Sequence, residues 1–148
     1  NGDVVKVDYG WVGDIESVNA DLLWALLSLP AVPVVTPLAF GDGGALNVNA
    51  DTVAAEVAAA VGASRLILLT ATPGILADVD DPATTLGLLT RVELDALDAS
   101  GCLVGGMLPK AAAVRRALDG GVATVHIADG RLPGSLLSMQ GGTRVVQA

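Results

Sequence analysis

Between residues 22 and 40 the chain reads LLWALLSLPAVPVVTPLAF, with no charged residue. The run is long enough to pose the question of a membrane span. Pro30, Pro33 and Pro37 divide it, however, and no basic flank follows. The pattern predicts a helix over 17–29, capped by Asn19 and stopped by Pro30, then a strand over 32–40 buried on both faces. Ahead of it, 4–13 reads as strand and turn, the partner of a hairpin, and GDGG at 41–44 reads as a turn. Alanine-rich residues 49–61 predict a helix, with Gly62 where a C-cap belongs. RLILLT (65–70) predicts a buried strand, and a turn-rich insert follows over 71–85. Residues 90–101 predict a helix opened by a Thr90–Glu93 capping box and closed by Gly101. Lys110 opens the next predicted helix (110–121), and 123–130 predicts a third buried strand. LPGSLLSM (132–139) predicts a short helix, and GGTRVVQA (141–148) a closing strand.

Apolar strands alternating with helices indicate an α/β fold with a mainly parallel sheet covered on both faces. A length of 148 residues fits one domain, and 52% hydrophobic against 16% charged residues fits a large buried core. The net charge of −8, from 16 acids and 8 bases, argues against nucleic-acid binding. The single cysteine, Cys102, excludes an internal disulfide framework and a cysteine-based metal site; with a single histidine, His126, a zinc cluster has no support. No signal peptide is visible, so a cytoplasmic location is expected. The chain begins inside a strand-and-turn pattern without methionine, and is expected to be the later part of a longer protein.

In open α/β sheets ligands sit at the carboxyl ends of strands, against helix N-termini. Four stretches fall at such places. NVNAD places Asn47, Asn49 and Asp51 at a strand-to-helix junction. The asparagines could grip an amide or carboxylate, or Asn49 could simply cap the helix and Asp51 complement its dipole. LLTATPGI (68–75) ends a strand in a Thr-Pro-Gly turn, fit for a nucleotide or for plain turn chemistry. DGRLPG (129–134), with Asp129 and Arg131, reads more readily as a surface turn. GGMLPK (105–110) sets one of the chain's two lysines behind a glycine pair at a helix start. A cation there is unfavourable by about 0.3–1 kcal/mol unless an anion is held close by. A solvated helix-edge lysine is the alternative. His126 reads as a hydrogen-bonded core or sheet-end residue, and Cys102 as a buried, inert thiol.

Together, NVNAD, RLILLTATPGIL, GGMLPK and GTRVV resemble the amino acid kinase family, and within it the acetylglutamate kinases of arginine biosynthesis. The resemblance implies a three-layer α/β/α sandwich whose N-terminal half is absent. Residues 1–148 would form the C-terminal, nucleotide-binding part, with 1–51 including the end of the substrate-binding part. It implies ATP-dependent phosphorylation of the side-chain carboxylate of N-acetyl-L-glutamate in the complete protein. The alternatives are a kinase for carrier-bound aminoadipate in lysine biosynthesis and a non-catalytic nucleotide-binding fragment. By resemblance, Lys110 would stabilise the transferring phosphoryl group and Asp51 would orient the catalytic lysines. Asn47, with Asn49, would hold the amino acid. Ala71, Thr72, Pro73, Gly74, Ile75 and Leu76 would line the nucleotide, joined by Cys102, Leu103 and Val104. Mg²⁺ would be held mainly by the ATP phosphates, with no protein metal site. Neither nucleic acid nor membrane is implied as a partner, and the full-length protein is expected to be a homo-oligomer. Ala71 departs from the aspartate usual in the family, so one polar contact near the nucleotide is missing.

Overall fold

The computed structural model describes residues 10–134 and 141–147. The elements run α1 (Ala20–Leu27), β1 (Leu38–Gly41), β2 (Gly44–Asn47), α2 (Ala50–Ala60), β3 (Arg65–Thr70), β4 (Leu88–Thr90), α3 (Arg91–Ala99), α4 (Met107–Asp119), β5 (Thr124–Asp129) and β6 (Thr143–Val146). A four-stranded sheet has the order β3-β5-β6-β4. The pairs β3–β5 and β4–β6 are parallel; β5 and β6, which joins them, are antiparallel. A separate antiparallel ribbon pairs β1 with β2 across the tight turn at Asp42 and Gly43.

Alternation along the strands sends Leu66, Leu68, Leu89, Val125, Ile127 and Val145 into one core with Ala55, Leu94, Ala111 and Val114 from the helices. Burying each of the larger side chains favours folding by about 1.5–3 kcal/mol. Helix α4 packs on α2, α3 and β5, so these three helices share one layer. Asn49 caps α2 by accepting from the N–H groups of Asp51 and Thr52, and Gly62 follows its end at φ +63°. The Thr90–Glu93 capping box starts α3 as the spacing predicts. Small residues let α2 and α4 approach closely: a Cβ on Gly120 would run into that of Ala59. The helices run in the same direction, because Asp51 meets Lys110 at one end and Ala59 meets Gly120 at the other.

The opposite face of the sheet carries Arg65, Ile67, His126 and Arg144, the last three in register across β3, β5 and β6. The backbone of Gly141 and Gly142 crosses it, and His126 Nε2 donates to the Gly141 carbonyl at 2.8 Å. His126 is thus the bonded, buried residue its sequence setting predicts.

Several elements differ from the sequence expectation. The strand predicted over 32–40 is reduced to Leu38–Gly41, and it is exposed rather than buried: Val34 and Phe40 are 90% and 88% accessible. Pro33 and Pro37 have no N–H to give a ladder, which confines the pairing to the residues after Pro37. Helix α1 is shorter than the predicted 17–29 and buries no residue. Helix α4 begins at Met107, three residues before Lys110, since Pro109 is tolerated in a first turn. The strand β4 had no separate signal in the sequence. Of the predicted strand at 4–13, the described part forms a parallel bridge from Val12 to Asn47; residues 4–9, like most of the predicted helix at 132–139, lie outside the described residues. Among the described residues no helix is long and apolar enough to cross a membrane.

Candidate active site

Thr70 ends β3 beside the paired N-termini of α2 and α4, and a cavity of about 240 Å³ opens there. Two sequence-distant segments wall it: residues 70–79, from the end of β3 into the insert, and residues 102–110, from the loop after α3 into the first turn of α4. Thr72, Gly74, Ile75, Leu76, Cys102, Leu103 and Val104 all line it, as does Lys110. Ala71 and Pro73 do not. Thr70, Gly106 and Met107, from two of the candidate stretches, also line the wall, as does Val79, which the sequence did not single out. Gly106 and Met107 belong to the GGMLPK motif already in view; Val79 lies in the turn-rich insert, where no pattern marks it.

Lys110 Nζ lies 2.9 Å from Asp51 Oδ2, with only 17% and 19% of the two side chains exposed. The anion that makes a lysine tolerable at a helix N-terminus is therefore supplied, at least in part, by the neighbouring helix. The solvated-lysine reading does not hold. An ammonium has three N–H donors, so two remain after the bond to Asp51. Helix α4 has Gly106 as N-cap and no side-chain cap; the N–H groups of Met107 and Leu108 donate to the carbonyls of Val104 and Gly105 at 3.1 and 3.2 Å, and Pro109 has none. The dipole of α4 still turns its positive end, equivalent to about half a charge, toward the cavity mouth.

The turn over 72–76 is held from both sides. Ile75 N–H donates to Thr143 Oγ1 at 2.7 Å, and Leu86 N–H donates to the Ile75 carbonyl at 2.8 Å. Cys102 is exposed, not buried as its sequence setting suggests, and its sulfur accepts from Ser100 Oγ at 3.1 Å. The small-residue loop, with Leu103 as its buried anchor, leaves the thiol on the cavity wall. Asn49 takes the capping role, its Oδ1 engaged by two backbone N–H groups at 2.9 and 3.1 Å, with its amide nitrogen left over. Asn47 is exposed at the end of β2, outside the cavity wall. Its backbone is tied to the preceding segment through Trp11 O (2.7 Å) and Gly13 N–H (3.1 Å). Asp129 and Arg131 pair with each other at 2.7 Å in their turn, and the guanidinium holds the Asp129 carboxyl down to a pKa of about 2.

The description "Amino acid kinase family" belongs to the family model that matches residues 2–129. An acetylglutamate kinase of Desulfitobacterium hafniense is 42% identical over 137 residues, covering 92% of this chain and 46% of the relative. One from Parasynechococcus marenigrum is 50% identical over 131 residues, covering 87% and 45%. The chain thus spans about half the length of the curated relatives it matches. Among solved structures, N-acetylglutamate synthase from Neisseria gonorrhoeae superposes with a TM-score of 0.85 at 25% identity, over 99% of this chain and 35% of that one. Carbamate kinase from Giardia lamblia gives 0.62 at 18% identity, over 75% and 37%, a likeness of fold.

Proposed function

The chain belongs to the amino acid kinase family, and on that premise we propose that it forms the nucleotide-holding part of an acetylglutamate kinase. In the complete protein, the side-chain carboxylate of N-acetyl-L-glutamate would attack the γ-phosphorus of ATP. A P–O bond forms to the carboxylate as the bond to the ADP oxygen breaks, giving an acyl phosphate. The acceptor is ionised at neutral pH, so no general base is required. The barrier lies in bringing anions together and in stabilising charge on the phosphoryl oxygens.

The observation that carries this reading is the Lys110–Asp51 pair at the mouth of the cavity. Asp51 holds the ammonium in place, and its two remaining donors are free to meet phosphoryl oxygens. Ile75, Leu76, Leu103 and Met107 offer apolar walls for a base and ribose, while the α4 N-terminus favours phosphate. Asn47 would act on the amino acid, and Asn49 chiefly by fixing the helix that carries Asp51. Mg²⁺ accompanying ATP would ride on the phosphates, because Asp51 is already engaged by Lys110. When bound, the ion would neutralise phosphate charge. The test is Lys110→Ala in the full-length protein. Turnover is expected to fall at least about a hundredfold, the scale for losing one such electrostatic group; near-normal turnover would refute the assignment.

A further inference from the structure

We propose that Thr143, at the start of β6, is a positioning residue for the nucleotide. This inference rests on the assignment of the cavity to ATP. Thr143 does not line the cavity and is fully buried. Its hydroxyl is the acceptor for Ile75 N–H at 2.7 Å, across 68 positions of sequence. Gly74 presses against the same residue: a Cβ there would lie 2.6 Å from Thr143 Oγ1 and 3.0 Å from its backbone nitrogen. Gly74 has φ +150°, and Ile75, itself fully buried, shows one side to the cavity. A buried N–H without a partner is unfavourable, so the turn keeps this shape only while an oxygen stands at position 143. Residues 74–76, which form one wall of the cavity, are thus located by a strand that enters the sheet between β5 and β4. The GT of the terminal GGTRVV motif acquires a role through this contact, as a fixed stop for the turn.

Three full-length variants test this: Thr143→Val, which keeps the shape and removes the acceptor; Thr143→Ser, which keeps the acceptor; and Gly74→Ala, which forces the contact apart. Binding of a non-hydrolysable ATP analogue is measured by calorimetry, and exchange of the Ile75 amide by NMR without nucleotide. Thr143→Val and Gly74→Ala are expected to weaken the analogue about tenfold or more and to raise KM for ATP. KM for the acyl amino acid should stay unchanged. Thr143→Ser should bind within about threefold of wild type, and Ile75 exchange should accelerate in Thr143→Val and not in Thr143→Ser. Wild-type affinity and exchange in Thr143→Val would overturn the inference. So would a Thr143→Ser variant that loses affinity, a result that needs no folded valine variant. A wild-type protein that binds no analogue overturns the nucleotide assignment instead, and Ile75 exchange still reports whether Thr143 holds the turn.

Discussion

Replacing Asp51 by asparagine preserves the shape of the helix start and removes one charge. In the native protein the Lys110–Asp51 contact is a charge-assisted hydrogen bond at 2.9 Å. Such bonds contribute about 1.5–3 kcal/mol, and partial access to water favours the lower end here, about 1.5. An asparagine oxygen still accepts, with roughly half the strength, so about 0.7 kcal/mol of the bond is lost. A first-turn acid complementing the dipole is lost too, worth about 0.3–1 kcal/mol. Asp51→Asn is therefore expected to destabilise by about 1–1.7 kcal/mol. In a Lys110→Ala background there is no bond left to weaken, and the same change relieves an unpaired, mostly buried carboxylate. The double-mutant cycle should show a coupling of about 1 kcal/mol, above the roughly 0.3–0.5 kcal/mol scatter of independent sites. Urea unfolding of the four proteins measures it. In turnover, the two losses should combine to at least about tenfold less than their product, since part of what Asp51 does passes through Lys110. Additivity in both stability and turnover would refute the idea that Asp51 serves to hold the lysine.

Cys102 gives an independent report on the cavity. Alkylation of its thiol should slow at least about tenfold when an ATP analogue is present at about a hundred times its Kd, because only the unoccupied fraction stays open; equal rates with and without nucleotide would place the nucleotide elsewhere. Acid should weaken the fold in a defined window. Asp14, beside Arg116, and Asp129, beside Arg131, are each held at a pKa of about 2 against an ordinary 3.8. The stability they contribute is complete above about pH 4 and is lost as pH falls through about 2. Melting temperature should decline over that range, more shallowly in Asp129→Asn, and an identical acid profile in the two proteins would argue against the pairing.

Local chemistry made α2 and α3 legible, since Asn49, Gly62 and the Thr90–Glu93 box act within a few residues of themselves. The same holds for β3 and β5 as paired strands, although β3, expected to be buried, leaves Leu69 half-exposed while β5 is buried along nearly its whole length. The run from 32 to 40 misled because hydrophobicity alone does not supply N–H donors, and two prolines remove them. At the candidate site, the glycine pair with Lys110 and the NVNAD stretch lie at neighbouring helix starts, joined by the Lys110–Asp51 bond. Their meeting depends on α2 and α4 running side by side, a tertiary fact that no local window contains. Val79 and the contact that Thr143 of GTRVV makes were invisible for the same reason: one reaches the cavity from an irregular insert, the other touches its wall from behind.

The contact between Gly120 and Ala59 makes a lever of α4. Lys110 lies ten residues from that fulcrum, about 15 Å along the axis at 1.5 Å per residue. A rotation of only about 5° there would carry the lysine by roughly 1.3 Å, enough to cost a reaction that depends on alignment about a hundredfold. The absence of a side chain at Gly120 therefore sets the position of the Lys110 ammonium at the opposite end of the helix.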